Sequence, residues 1–488
     1  MAISEISSTT TGWNGGTGRE AMDGLMKDWY GTLWEDHVNT QAKCLSLTGL
    51  GKVRGKMGGR RVLSAVIDQY PQSAGVAHFE NASIVEPLSA SAFQPELISR
   101  SLYVRLRWTG EVEDMARAGD KAAFAGPRST ELRLARKQYA VNKCRMAILG
   151  PQQVMGVSTS ATTEDSSPVT VTMHVRNDRT SHATHFHKFG THYFKKGMVL
   201  DHGATAAGNP VMNPTGLAKA DFTSNAWEVT GVTSTTVEFT SSNAGNISDP
   251  HHNSNIYHFP WGSRRTGAGS DDSSYDSYHA GYNGLNNLML DDNIYGWVYG
   301  LERGATYPTL DGNRQVDGSA QPRNFNDLLL ILAIDNIVEE GSGEEPDTMY
   351  LNSAVRREVI QHLGMGNAAT YNQNASGTEQ QARRFAPVQT TSGYAKLAIV
   401  AGDRSMTYDT DRDCPPGMIY LLRKGTMGYL SNRTLSSVDK TPERYVADKD
   451  AHEIVMAERG NFFCTSPWTN GTLEDIDFDV SAITTYAA

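Results

Sequence analysis

The chain has 488 residues, 39% of them apolar and 20% charged, with a formal net charge of −10. That length allows two or three domains with sizeable cores. The acidic balance, without a long basic tail, argues against a protein whose main business is gripping nucleic acid tightly.

The N-terminus, MAISEISSTTTGWNGG, lacks a basic start followed by an apolar core, so no signal peptide is expected. The most apolar run, Leu328 to Ile334, is too short to span a bilayer. Four cysteines, at 44, 144, 414 and 464, form no CxxC pair and are expected to be reduced, isolated thiols of a cytosolic setting.

Residues 1–17 are rich in Ser, Thr and Gly and carry no core signal. From Gly18 to Val38, Met22, Leu25, Met26, Trp29 and Leu33 recur at helical spacing, weakened by Gly24 and Gly31. With Trp34 alongside, so much apolar surface calls for a partner. Residues 49–61 then hold Lys52, Arg54, Lys56, Arg60 and Arg61, five glycines and no acid, which predicts a mobile, positively charged loop. It is no phosphate loop: the run from Gly51 to Gly55 and Lys56 is one residue short, and Met57 stands where a hydroxyl would bind magnesium. Val62–Ile67 and His78–Val85 read as strands, making 51–86 a long two-stranded excursion.

Residues 100–108 alternate as a strand with Leu102, Val104, Leu106 and Trp108 on one face. A short helix is expected from Glu111. Pro127 to Gly150 then predicts a helix of some 30 Å at 1.5 Å per residue. Pro127 suits its first turn, Ser129 and Thr130 are cap types, and Gly150 is a stop. Leu132, Ala135, Tyr139 and Cys144 to Ile148 supply its apolar contacts. Arg128, Arg133, Arg136, Lys137, Lys143 and Arg145 make the remainder basic.

From 151 the composition turns to Thr, Ser, Asn and Gly, with strands expected at Val169–Val175, Met198–Asp201, Ala226–Val232 and Thr235–Thr240, the last two across a tight turn. Residues 262–284 are loop-like. Further on come a helical turn at Leu285–Leu290, a helix at Asn326–Glu339, a buried strand at Thr348–Leu351, and a helix at Ser353–Leu363 capped by Asn352 or Ser353. Lys396–Ala401 and Met418–Leu422 read as central strands. Glu453–Met456 and Gly460–Cys464 read as two strands closed by Pro467.

Three groups bear on binding chemistry. His182, His185, His187 and His192 lie close together, but no cysteine accompanies them and no zinc spacing is met, so surface or subunit contacts rank above a metal. Asp409, Asp411 and Asp413 imitate the start of a calcium loop, yet Cys414 and Tyr420 occupy the positions that need Gly and Glu. Gly16–Ala21 and Gly364–Ala369 fit a loose dinucleotide pattern without the preceding strand that its mechanism needs. No GxSxG, HExxH or Cys/His dyad spacing occurs, so neither enzyme activity nor a cofactor is expected.

The segments GGRRVLSAVI (58–67), TELRLARKQYAVNKCRMAILG (130–150), FKKGMVLD (194–201), AWEVTGV (226–232) and DRDCPPGMIYLL (411–422), with the order of elements around them, resemble the major capsid proteins of tailed double-stranded DNA phages, the Hong Kong 97-like fold. The resemblance implies an α+β chain divided into an N-terminal arm (1–48), an extended β loop (49–95), a peripheral domain with a long spine helix (96–150), a β-rich inserted module (151–284), an axial domain (285–444) and a return to the peripheral domain (445–488). It implies a homo-oligomeric icosahedral shell of hexamers and pentamers around the phage DNA, in a virion assembled in the host cytoplasm. A portal would be a partner, and a decoration protein is allowed. Only about 48 residues precede the loop, too few for a built-in scaffolding domain, so a separate scaffolding protein is expected. No membrane is involved. Inter-subunit contacts are expected of Met22, Met26, Trp29, Leu33 and Trp34 on the arm, and of Lys52, Arg54, Lys56, Arg60 and Arg61 on the loop. Arg60 and Arg61 should meet carboxylates of a neighbour. An encapsulin-like compartment is the alternative within this class. An enzyme or carbohydrate binder with a β-rich substrate domain is the alternative outside it.

Overall fold

The computed structural model describes residues 43–59, 61–64, 66–69, 91–109, 127–151, 155–161, 169–173, 190–204, 227–241, 256–260, 281–290, 297–304, 306–315, 323–340, 343–359, 385–390, 393–401, 404–438, 444–445 and 451–478. The chain is mixed α and β. The stretches at 18–38, 78–85, 111–114 and 364–369, and His182, His185 and His187, lie outside the described residues.

The long helix runs Pro127–Leu149. It begins at the proline, so Ser129 and Thr130 sit inside the first turn rather than capping it. Gly150 ends it at φ +76°, where its N–H donates to the Met146 carbonyl at 2.9 Å. The two halves differ as their sequences do. Arg133, Leu134 and Arg136 are exposed in the first half. Cys144, Ala147, Ile148 and Leu149 are buried in the second, at the centre of the largest apolar cluster. Gly284 lies flat against this end: a Cβ there would come within 2.6 Å of the Gly150 nitrogen and the Met146 oxygen.

Beside the helix runs strand Arg100–Thr109, whose alternating burial puts Leu102, Val104, Leu106 and Trp108 inward as expected. It pairs antiparallel with Ala451–Cys464, from Thr109 opposite Ala451 to Arg100 opposite Gly460. The two strands expected near the C-terminus are thus one strand of 14 residues. The charged pair Glu458–Arg459 does not break it, because Glu458 is buried against Lys143 while Arg459 points out. Met427–Ser437 pairs along its other edge.

The strand expected at 62–67 is two short ones. Arg61–Leu63 pairs with Glu96–Ile98, and Val66–Gln69 pairs with Ser91–Phe93. The described excursion therefore goes out over 61–69 and comes back over 91–98.

Six strands, Gly156–Ala161, Val169–Met173, Val199–Ala204, Trp227–Val232, Thr236–Ser241 and Ile256–Pro260, close into a barrel. The tight turn sits at 233–235, where the Thr233 hydroxyl accepts the Thr236 N–H at 2.9 Å. A separate seven-stranded mixed sheet runs in the order Asn313–Gln315, Gly471–Leu473, Ile419–Leu422, Thr348–Leu351, Arg404–Thr410, Gly393–Ala401, Phe385–Thr390. Its central strands are buried on both faces. Met349, Leu351, Ile419 and Leu421 face helix Asp327–Glu340, while Tyr350, Tyr420 and Leu422 join the cluster around the long helix. Two-sided burial is why these strands read as continuous apolar runs. Asn352 caps the helical turn at 353–359, accepting the Ala354 N–H at 2.9 Å. No helix among the described residues is long and apolar enough to cross a membrane.

Candidate assembly surface

The loop at 49–61 is anchored at its middle. Val53–Lys56 forms a strand parallel to Met427–Ser437, with Val53 opposite Tyr429 and Lys56 opposite Ser431. The Met57 N–H extends the ladder to the Ser431 carbonyl at 2.9 Å. The expectation of a mobile loop is corrected here, because backbone pairing outweighs the chain's charge and glycine content.

Arg54 locks this strand down. Its Nε donates to the Met427 carbonyl at 2.6 Å, and its Nη2 donates to the carbonyls of Gly425 at 2.5 Å and Lys424 at 3.3 Å. One planar fork thus reaches two carbonyls of a 3₁₀ turn, Lys424–Thr426, and that of Met427 just beyond it. Arg61 finds a carboxylate within its own chain: Nε lies 2.7 Å from Glu96 Oε1 across the 61–63/96–98 ladder, a diagonal cross-strand pair. The expected neighbour carboxylate is therefore not needed to partner Arg61. Lys52 and Lys56 are exposed, and so are the apolar Val53 and Leu63 at 57% and 62%. Arg60 and the arm residues Met22, Met26, Trp29, Leu33 and Trp34 lie outside the described residues.

The metal-like groups are used internally. His192 is buried, edge-on to Tyr193 with ring centroids 4.9 Å apart. Burial, with the Arg412 charge beside it, brings its pKa down to about 3, so it is neutral at pH 7. Asp409 accepts from Lys424 Nζ at 2.8 Å. Asp411 accepts from the Tyr350 hydroxyl at 3.2 Å and from the Asp413 N–H at 3.3 Å. Asp413 is pushed up to about 6 by burial and by the Asp411 charge. Among the described residues no group of three or more His, Cys, Asp or Glu could hold a metal ion.

Several residues that organise the surroundings are invisible to motif reading. Lys143 Nζ reaches Glu458 Oε1 at 2.7 Å and lies 4.1 Å from the Tyr429 ring centroid. Arg303 donates to the carbonyls of Leu290 at 2.5 Å and Asn287 at 2.6 Å, closing the end of helix Leu285–Met289. Arg314 grips Glu474 bidentately, its Nε donating to Oε1 at 2.9 Å and its Nη2 to Oε2 at 3.0 Å. In the sequence each is one more surface-type cation; only distant partners turn them inward.

No family model matches the chain, and no curated protein matches it. Solved structures to which it is similar are capsids, of phages and of a GTA particle. The capsid of cyanophage A-1(L) is 10% identical, with 93% of this chain and 98% of that chain covered at a TM-score of 0.48. The capsid of the native GTA particle is 10% identical, with 94% and 99% covered at 0.42. The capsid of Myoviridae phage XM1 is 8% identical, with 91% and 99% covered at 0.40.

Proposed function

We propose that this chain is a structural shell protein, the major capsid protein of a tailed double-stranded DNA phage with a Hong Kong 97-like fold. The observation that carries the reading is the ladder between Arg100–Thr109 and Ala451–Cys464 beside the long helix. It joins the chain's early strand to its return strand, with the out-and-back pairing of 61–69 and 91–98 leading into it. Arm, β excursion, strand, long helix and return strand then follow in the order that this fold requires.

On this reading the arm is 1–48, the β loop 49–95, the peripheral domain 96–150 with its return at 445–488, the inserted module 151–284 and the axial domain 285–444. The chemistry is association: many copies, each with modest contacts, multiplied over a closed surface of hexamers and pentamers. Met22, Met26, Trp29, Leu33 and Trp34 on the arm, with Lys52, Lys56, Arg60 and the rim of the Arg54 and Arg61 strands, form contacts between copies. DNA is enclosed without sequence-specific binding, and a scaffolding protein and a portal are partners in the host cytoplasm. The chain catalyses nothing. Sedimentation velocity on the purified chain and on a chain lacking residues 1–38 tests this. The full chain runs as a large assembly and the truncated one as a folded small species; a full chain that sediments only as a monomer overturns it.

A further inference from the structure

A short hairpin, Trp297–Val298 with Leu301–Glu302, turns through Tyr299 and Gly300. Both turn residues are left-handed, at φ +53° and +76°. A two-residue hairpin turn of this hand favours Asn or Gly at its first position, and a bulky tyrosine there is strained. What the side chain reaches accounts for it. The Tyr299 hydroxyl accepts the Cys464 N–H at 2.8 Å and donates to the Cys464 carbonyl at 2.9 Å, at the end of the return strand. Burial raises this phenol well above its ordinary pKa, so it keeps its proton and both bonds.

The backbone of the same residue holds a second element. The Tyr299 carbonyl accepts the Glu96 N–H at 2.8 Å, where the β excursion comes back to the body. Glu96 in turn holds Arg61 of the outgoing strand at 2.7 Å. At the foot of the returning strand, Asn461 Nδ2 donates to the Ile98 carbonyl at 2.8 Å and ties that foot directly to Ala451–Cys464. Further out, Phe93 packs on Tyr307 with ring centroids 4.6 Å apart. The excursion therefore has a pivot at Ile98 and rests against 297–307 beyond it. Among the described residues its strands otherwise pair only with one another.

We propose that Tyr299 is a strained latch: held on Cys464 by its hydroxyl, it presents the carbonyl that fixes Glu96, and the excursion 61–69/91–98 opens as one unit about Ile98 when the turn relaxes. Strain at Tyr299 favours release and three hydrogen bonds oppose it, two effects of similar size. Opening leaves the ladder of Arg100–Thr109 with Ala451–Cys464 paired. The latch belongs to the single chain and goes beyond the shell reading, since it holds whether or not copies associate.

Hydrogen exchange of the purified full chain, followed in the same sedimenting species for every variant, tests this. In wild type, amides of 61–69 and 91–98 should exchange together and before those of Ala451–Cys464. Tyr299→Phe removes both hydroxyl bonds and keeps the strain. Exchange across the excursion, with the Glu96 amide as reporter, should rise about tenfold. Tyr299→Asn suits the left-handed turn but cannot reach Cys464. It should speed the excursion as much, while the hairpin amides exchange no faster than in wild type. Thr348–Leu351 should not change in either variant. A Tyr299→Asn chain whose excursion exchanges at the wild-type rate would overturn the proposal, since the hydroxyl would then hold nothing. Equal acceleration at Thr348–Leu351 would overturn it too, by showing a general loss of packing. Should neither variant fold, the wild-type order decides: an excursion that exchanges in step with Ala451–Cys464 has no separate opening, and the latch is refuted.

Discussion

Lys143 Nζ lies 2.7 Å from Glu458 Oε1, and this contact ties the long helix to the 14-residue strand. Both side chains are nearly out of water, at 13% and 8% exposure. Removing one partner strands the other's charge in the interior. Lys143→Met or Glu458→Gln should each cost about 3–5 kcal/mol, while Lys143→Met with Glu458→Leu should cost far less, because no orphan charge remains. Urea denaturation of the three variants measures it; equal losses in all three would contradict the buried-pair account.

The same pair gives a pH signature. Burial pushes Glu458 up to about 7 from an ordinary 4.5, and Lys143 down to about 8 from 10.5. A carboxyl with a raised folded pKa holds its proton longer in the folded state, so its contribution to stability falls as pH rises from 4.5 to 7. An amine with a lowered folded pKa makes stability rise with pH between 8 and 10.5. Relative to the double variant, wild type should be least stable between pH 7 and 8. A difference that instead grows from pH 4.5 to 7 would mean that charge attraction outweighs burial.

Arg54 predicts an unequal loop. Arg54→Ala leaves three carbonyls without their shared donor and should cost about 1–3 kcal/mol, whereas Lys52→Ala and Lys56→Ala should change stability little. Arg54→Lys should rescue poorly, since an ammonium cannot span three acceptors in a plane. Thermal unfolding ranks the four variants; full rescue by lysine would show that charge alone matters.

Gly284 marks the tightest approach to the long helix. Gly284→Ala puts a methyl within 2.6 Å of backbone atoms that have no rotamer to yield. A loss of about 1–3 kcal/mol is expected from overpacking, with the helix end reporting it in hydrogen exchange. Exchange unchanged at Met146–Gly150 would refute the contact.

The thiols should be silent. All four cysteines are buried, and burial pushes Cys464 up to about 11 and Cys414 upward as well. A thiol reagent should label none rapidly in the folded protein and four after denaturation. Rapid labelling of Cys144 would contradict its place in the core.

Legibility followed how local each signal was. Thr348–Leu351 and the helix at 327–340 stood out, because both are apolar enough to declare their burial. Gly156–Ala161 and Ile256–Pro260 did not: GVSTSA offers hydroxyls rather than alternating apolar residues, and only barrel closure gives it partners. The strands expected at Glu453–Met456 and Gly460–Cys464 run on through the residues between them, where Glu458 meets a lysine 315 positions away. The loop cations were visible as a cluster. Their roles were not, since Arg54 serves carbonyls some 370 residues distant and Arg61 a glutamate on the returning strand.

Electron microscopy of the purified full chain, at low and at high protein concentration, tests the central claim most directly. Closed icosahedral shells of uniform diameter are expected, with the long helix and the ladder of Arg100–Thr109 with Ala451–Cys464 recognisable in every subunit. A monodisperse monomer under both conditions, with no ordered assembly, would contradict the account.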